Sequence, residues 1–509
     1  MISALCICSC TDLELEETDS IIDSTTADGS IFNGVENAES SIDNLYNGLN
    51  SRYENQENYY AMQEVTSDEF LVPTRGTDWG DNGIWRTLHT HNWDPGHLFI
   101  LRAWNDWNQS IFLASEVIDE RSNATPEQVA QAKFIRALGL WVIMDAFGQV
   151  PFRGVDEGPE INPIVYSSPE AYALILEDLD DAIANLPTTQ ALDQDNLKRA
   201  SKAAARFLKA RVLLNSGTYL GTGSADISSL NEVVSLVDAI AADGFALQSG
   251  YFDIFKSDAD TETILWTLSS VGNNIFNGLH YNTQALDGTG GWNGFSTLAE
   301  FYDSFEGNPE SNYVGDGQEE RRGWVPDATN ADDINTGIAY GFFIGQAYDK
   351  NGEALNDRPG NPLVFTKEFP GLVGNNERTG VRVIKYHPSN GAFTQHKILF
   401  RYADAHLMKA EAILRGASGG DATALVNELR VIREASPIGN ADETVMLAER
   451  GRELYGEMIR RTDMIRFNQF SAGYEFLDEN RISDVTRNLF SIPSNAILSN
   501  PNLVQNPGY

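Results

Sequence analysis

"TPEQVAQAKFIRALGLWVIMDAFGQVPF", residues 125–152, is the stretch whose reading decides the fold. Thr125 is an N-cap, Pro126 takes the first helical position, and Glu127 puts an acid in the first turn. Val129, Ala132, Ile135, Leu138, Trp141 and Val142 recur at helical spacing until Gly148 and Pro151 end the run. The same grammar returns in "SSPEAYALILEDLDDAIANLP", with Ser168 as the expected cap, Pro169 after it, and Tyr172, Ile175, Leu176, Leu179, Ile183 and Leu186 on one face. "KRASKAAARFLKARVLLNSG" sets Ala200, Ala203, Ala204 and Ala210 around Phe207, Leu208 and Leu214, and Gly217 is the expected stop. Two later helical stretches are "LFRYADAHLMKAEAILRG" and "TVMLAERGRELYGEMIRRTDMIRFNQF". Helix pairs with short turns and small residues at close approaches predict a mainly α protein built of tetratricopeptide-like hairpins. Between about 217 and 397 Gly, Asn and aromatic residues dominate. That region is expected to form a loop-rich insertion with short strands, and long ordered loops tend to carry function.

Lys plus Arg number 36 against 73 Asp plus Glu, a net charge of −37 over 509 residues. Such a field repels nucleic acid and anionic lipid surfaces, which leaves a neutral or cationic ligand. The three Cys are Cys6, Cys8 and Cys10, so residues 11–509 have neither disulfides nor thiolate chemistry. In "MISALCICSC" only Cys10 follows a small residue after an apolar run, the pattern of a lipoprotein cleavage site with Cys10 as the lipidated residue. The run is short and lacks a preceding base, so the start can lie upstream of Met1. Residues 11–30 hold seven acids and no base and read as a tether. No stretch reaches the ~18 apolar residues of a membrane span, so the expected attachment is a lipid anchor alone.

"TRGTDWGDNGIWRTLHTHNWDPGHLFILRAWNDW", residues 74–107, contains five of the nine Trp and three of the seven His. His89, His91 and His97 follow no helical zinc spacing and have no Cys nearby, so no metal is assigned to them. Acid-rich loops without an EF-hand pattern leave structural calcium open, and no other cofactor is called for. Trp104 and Trp107 lie at helical spacing and are expected in the core. Trp79 and Trp85 stand among glycines and acids in "RGTDWGDNGIW", which is loop chemistry. One reading is a loop anchor; the other is a stacking platform for the C–H face of a sugar ring, with Asp78 at the hydroxyls. "LDGTGGWNGFSTLAEFY" repeats the recipe at Trp292, Asn293 and Ser296. Charged clusters such as Glu449–Asp463 and Arg401, Asp404 and Glu411 are expected to be internal ion pairs, because their spacings are helical contact spacings.

These landmarks together resemble the SusD/RagB outer-membrane nutrient-binding lipoproteins of Bacteroidetes. The matching pieces run from the lipoprotein start through "PTRGTDWGDNGIW", "AKFIRALGLWVIMDAFGQVPF", "ASKAAARFLKARVLL", "GGWNGFSTLAEFYDSFE", "LFRYADAHLMKAEAI" and "ERGRELYGEMIRRTDMIRFNQF" to "NPNLVQNPGY", in the family's order. The resemblance implies residues 1–10 as signal remnant, 11–30 as tether and 31–509 as one glycan-binding domain. It also implies no catalysis and a place at the outer-membrane surface, where a neutral oligosaccharide is delivered to a SusC-like TonB-dependent transporter. Both Trp loops would lie on the ligand face, and Arg382, in "RTGVRVIKY", would donate to ring hydroxyls. A glucan or fructan is the expected ligand. The alternatives are a peptide-binding member of the same family, a glycoside hydrolase with an unmarked carboxylate pair, and a lid that binds only the transporter.

Overall fold

The structure is a computed structural model and describes residues 32–269, 278–283, 290–327, 337–388 and 395–509; Cys10 and the acidic tether lie outside them. The scaffold is helical, with α1 (Ala38–Glu54), α2 (Leu98–Ile118), α3 (Pro126–Phe147), α4 (Ser168–Asn185), α5 (Lys202–Leu214), α6 (Ile227–Ala242), α7 (Tyr402–Leu414), α8 (Ala422–Ile432), α9 (Glu443–Leu454) and α10 (Arg460–Arg466). Neighbours in sequence pack as hairpins: α2 on α3, α3 on α4, α5 on α6, and α7 on α8. α3 has the predicted ends, with Thr125 and Gln128 exchanging bonds as a capping box and Gly148 in the left-handed region at φ 68°. Gly139 lets α2 approach, since a Cβ there would meet Ile111 Cγ1 at 2.9 Å.

Four local expectations need correction. The cap of α4 is Ser167 and not Ser168, because Glu170 reaches back to the Ser167 N–H at 2.8 Å. Gly217 does not end a helix. It sits inside a short helix, Ser216–Tyr219, where a Cβ would lie 2.3 Å from the Ser224 backbone, so Gly is required for close approach. The insertion does not begin at 217: α6 occupies 227–242, capped by Asp226, with Leu230, Val233, Val237 and Ile240 buried. The predicted helix from 444 to 470 is broken into α9 and α10 by a bend at Tyr455–Ile459.

Short antiparallel strands complete the fold. β1 (Gln149–Phe152) pairs with β2 (Ile164–Ser167), and β3 (Thr263–Thr267) with β9 (Lys397–Arg401). β4 (Gly323–Trp324), β5 (Tyr340–Phe343) and β8 (Arg382–Ile384) form one small sheet, and β6 (Gly345–Gln346) pairs with β7 (Val364–Phe365). A large core fills the helical layers and includes Trp104, Trp107 and Trp141. A second core lies under the insertion, where Phe255, Tyr302, Phe342 and Ile384 gather around Tyr251 and Tyr455.

The two halves are joined by buried charge. Glu262, Arg321, Arg401, Arg433, Glu449 and Glu453 have fully buried side chains. Glu453 meets Arg401 at 2.7 Å, Arg433 at 2.9 Å and Arg321 at 3.3 Å; Glu262 meets Arg433 at 2.6 Å and Arg401 at 3.0 Å. Burial alone would raise the Glu453 carboxyl, but Arg433, Arg401 and Arg321 hold it well below the usual range. A second set binds the last helices: Arg450 to Asp404 at 2.9 Å and Asp463 at 2.7 Å, and Arg466 to Glu411 at 2.7 Å.

One buried pair has the opposite chemistry. Glu64 and Glu69 face each other and accept from the backbone N–H groups of Met458 and Gly456, clamping the bend between α9 and α10. Glu64 Oε2 is buried without a hydrogen-bond partner, and Arg460 Nε lies 3.8 Å from Glu69 Oε1. Burial pushes Glu64 up to about 7, and burial with the Glu64 charge pushes Glu69 well up. The folded state therefore holds protons more tightly than the unfolded chain, whose Glu titrates near 4.5. Such stability is fully present below that value and is lost as pH rises through about 7. The contribution of this pair to the melting temperature is expected to fall between pH 5 and pH 8, while buried groups that are pushed down, such as His91 and Lys397, contribute in the opposite direction. Glu64→Gln, which keeps the Met458 acceptor and offers an N–H to Glu69, is expected to flatten that fall in parallel thermal melts.

Candidate functional site

The Gly-rich stretch folds as a strained loop. Arg75 and Asp78 pair backbone to backbone at 2.9 Å in both directions, which closes a tight turn. Trp79, Asp81, Asn82 and Gly83 then follow with φ of 56°, 36°, 52° and 85°. Left-handed backbone at a bulky Trp is costly and persists only where its surroundings hold it. Here the indole is held on two sides. Its Nε1 donates to the Trp292 carbonyl at 2.6 Å, and its ring packs edge-on against Trp85 and Phe295. Gly294 makes room for it: a Cβ there would lie 2.4 Å from the Trp79 ring.

The second loop, 290–296, lies on the backbone of 279–281. Asn293 N–H donates to the Leu279 carbonyl at 2.7 Å and Gly291 N–H to the His280 carbonyl at 2.9 Å. Trp292 projects from it and is 60 % exposed, while every other Trp of this region is at least partly covered. Beside the two loops stands a polar wall. The Tyr281 hydroxyl donates to Asp78 Oδ2 at 2.7 Å, and the Arg358 guanidinium lies 3.8 Å from the Tyr281 ring centre. Arg358 is also paired to Asp78 and to Glu377, and its side chain stays about half exposed. Glu377 takes a further bond from His280 Nε2 at 3.0 Å. Burial holds that imidazole down at about 4 despite the carboxylate, so it is neutral with its proton on Nε2, because Nδ1 accepts from the Asn282 N–H at 3.0 Å. The arrangement offers a flat indole face, a stacked phenol and guanidinium, and carboxylate and amide oxygens at Asp78, Asp81 and Asn82. Hydrogen-bond groups around an aromatic face suit a ligand that has both C–H faces and hydroxyls.

The expected site residues do not all reach the surface. Trp79, Asp78 and Trp292 are brought together at it. Trp85, at 2 % exposure, is core: it packs on Phe99 at 4.7 Å and Phe295 at 5.2 Å, because the turn at Gly83 starts a short helix, Ile84–His89, whose inner face it fills. Asn293, Ser296 and Arg382 are fully buried, so their place as ligand contacts is corrected. Arg382 spends its N–H groups on Asn293 Oδ1 at 2.7 Å, Ser296 Oγ at 2.7 Å and the Glu377 carbonyl at 2.9 Å. Tyr281, Arg358 and Glu377 were not anticipated, since 281, 358 and 377 lie far apart in sequence without a shared motif. The Tyr281–Asn282 pair beside a Gly-rich run was the one available signal.

The histidines of the Trp-rich stretch 74–107 serve packing. His91 stacks on Phe470 at 4.4 Å and is pushed down to about 3 by burial; His89 bonds the Glu475 carbonyl at 2.9 Å and His97 the Ile84 carbonyl at 3.0 Å. Among the described residues no group of three His, Cys, Asp or Glu is placed to hold a metal ion. Beneath Phe295 lies a cavity of about 40 Å³, lined also by Tyr60, Phe70, Lys385 and Lys397. At roughly 10–15 Å³ per water it has room for water only.

Residues 261–509 match the SusD family model, and residues 39–198 match the model described as starch-binding associating with outer membrane. The chain belongs to the SusD family. Starch-binding protein SusD of Bacteroides thetaiotaomicron is 27 % identical to this SusD-family chain over 489 residues, spanning 88 % of this chain and 85 % of that one. A laminarin-binding SusD-like protein superposes with a TM-score of 0.67 at 20 % identity, covering 93 % of this chain and 99 % of its own. Surface glycan-binding protein A from Bacteroides thetaiotaomicron, solved in complex with laminarihexaose, gives 0.66 at 16 % identity, covering 92 % and 98 %. At these identities the structural likeness shows the fold of this SusD-family chain.

The packing around Trp79 yields a steric prediction. Gly294→Ala is expected to expel the Trp79 indole and release its bond to the Trp292 carbonyl. Tryptophan fluorescence should shift to the red and acrylamide quenching should rise, with the melting temperature falling by only a few degrees.

Proposed function

We propose that this SusD-family chain is a cell-surface glycan-binding lipoprotein that holds a neutral oligosaccharide on Trp292 and passes it to a SusC-like TonB-dependent transporter. The single observation that carries the binding reading is the 60 % exposed Trp292 indole on a braced loop, beside the Asp78–Tyr281–Arg358 wall. What supports a ligand role is not exposure alone but a braced, open indole face next to hydrogen-bonding side chains. A pyranose or furanose ring stacks on the indole while Arg358, Asp78 and Asn82 take its hydroxyls. The named relatives bind starch and laminarin, both neutral glucans, which supports the same ligand class here. Attachment in this reading runs through a lipidated Cys10 and the acidic stretch 11–30, supported by the sequence pattern there. Among the described residues no helix is long and apolar enough to cross a membrane.

Hydrolysis is disfavoured by the site's own electrostatics. A glycosidase needs one carboxyl held protonated near neutral pH. At this site Asp78 is lowered by Tyr281 and Arg358 against its burial, and Glu377 by Arg358 and His280 against its burial, so both are ionised acceptors.

Titration calorimetry against laminarihexaose, maltohexaose and a fructan oligosaccharide, with casein peptides as the control, tests the reading. At least one neutral glycan is expected to bind with micromolar to millimolar affinity. Trp292→Ala should weaken it at least about tenfold, roughly 1.4 kcal/mol, without changing the melt. Trp85→Ala should instead lower the melting temperature, as loss of a core aromatic costs ~3–5 kcal/mol. Binding of casein peptides alone would favour the peptide-binding reading, and release of reducing ends would favour the hydrolase.

The anchor has its own test. Cys10→Ala is expected to move the full-length protein from the membrane pellet to the soluble fraction in cell fractionation.

A further inference from the structure

Beneath the Trp292 loop lie two arginines whose surroundings differ from those of every ion pair described above. Arg75 and Arg382 are 2 % and 0 % exposed, and neither has a carboxylate in ion-pair range among the described residues. All their acceptors are neutral. Arg75 donates to the Thr379 carbonyl at 2.6 Å, Thr379 Oγ1 at 2.9 Å, the Asn376 carbonyl at 3.1 Å, the Gly294 carbonyl at 3.5 Å and Ser296 Oγ at 2.7 Å. Arg382 donates to the same Ser296 Oγ at 2.7 Å, to Asn293 Oδ1 at 2.7 Å and 3.2 Å, and to the carbonyls of Thr379 at 2.8 Å and Glu377 at 2.9 Å. Burial pushes both guanidinium groups down, Arg75 to about 9, and the Arg75 charge lowers Arg382 further.

Two desolvated like charges without a counter-ion are a poor way to gain stability, since burying each ion costs several kcal/mol. What they supply is geometry. A guanidinium is a rigid planar fork with five N–H donors and can fix several oxygens at once. Here two forks collect oxygens from segments 293–296 and 376–380, with Arg75 itself rooted in the Trp79 loop. Ser296 is the node. Its hydroxyl accepts from both arginines, and its backbone pairs with Leu71 in both directions, at 2.8 and 2.9 Å. Asn293, the residue after Trp292, sits in the left-handed region at φ 55°, held by Arg382 at Oδ1 and by the Glu377 carbonyl, which accepts from Nδ2 at 3.0 Å. The exposed Trp292 side chain cannot rely on packing for its orientation, so its backbone must supply it.

We propose that Arg75 and Arg382 are positioning residues for the Trp292 platform, acting through the Ser296 hydroxyl and the Asn293 side chain. The proposal rests on the reading of Trp292 as the ligand surface, but the device itself can be tested without a ligand. Ser296→Ala removes the shared acceptor and adds no atoms. Asn293→Gly removes the other acceptor while leaving a residue that adopts φ 55° freely. Hydrogen exchange of the full chain is measured over 290–297 and, as an internal control, over α2, and laminarihexaose affinity is measured in parallel. Each variant is expected to exchange at least tenfold faster at 290–297 with α2 unchanged, and to bind at least fivefold more weakly. Arg382→Lys, which keeps the charge and loses the fork, should behave like Ser296→Ala. Unchanged exchange at 290–297, or exchange rising equally in α2, would overturn the proposal. If the wild type binds no laminarihexaose, that result counts against the glucan reading alone, and the exchange comparison still decides whether the arginines position the loop.

Discussion

The structure depends on fully buried charges that must all be present together. Glu453 on α9 is shared by Arg401 at the end of β9, Arg433 at the end of α8, and Arg321 from the insertion, and Glu262 bridges Arg401 and Arg433. Each ion has lost several kcal/mol of hydration, and removing one partner leaves an uncompensated charge, which typically costs ~3–5 kcal/mol. The network therefore contributes little net stability but strongly penalises any other arrangement of these segments. It fixes the insertion against the helices, and so fixes where both Trp loops come to rest. The Tyr251 and Tyr455 rings around it keep water out and join the second core to the same point.

The molecule uses charge in three distinct ways. Paired and buried, it specifies the join between scaffold and insertion. Buried without counter-ions at Arg75 and Arg382, it organises backbone carbonyls beneath the Trp292 loop. At Asp78, Arg358 and Glu377 two carboxylates meet one guanidinium, and the half-exposed Arg358 lines the surface beside the indole. The net charge of −37 is a sum over the whole chain and says little about these interior sites. A large negative field is compatible with uncharged ligands, for which long-range steering is irrelevant and contact chemistry decides.

The candidate site shows a division of labour between an aromatic face and the layer that aims it. Trp292 is open to solvent; Trp79 is half-buried and braces the Trp292 carbonyl; Trp85 and Phe295 are core beneath both. The left-handed residues at Trp79, Asp81, Asn82 and Asn293 mark where the chain departs from relaxed geometry. Strain of this sort is concentrated where a loop must keep one conformation with few side-chain contacts to hold it.

The scaffold was legible from the sequence because helix signals are local. The cap at Thr125 and the apolar spacing in α3 and α4 depend only on near neighbours, and the error at Ser168 was one residue wide; α6, capped by Asp226, was missed inside the expected insertion. The reading of Glu449, Asp404 and Glu411 as internal ion pairs followed from their place on helices with apolar partners. The family followed from ordered pieces spread along the chain. The placement of the site did not, because burial is a property of the assembled fold: Trp79, Trp85 and Trp292 stand in similar Gly-rich sequence, yet one is half-buried, one is core and one is exposed. Arg382 read as a donor to ligand became an internal brace for the same reason, and Arg358 was invisible because its partners Asp78, Tyr281 and Glu377 meet only in three dimensions. Residue types and periodicity determined which helices form; long-range packing around the buried charges decided which aromatic ring faces water.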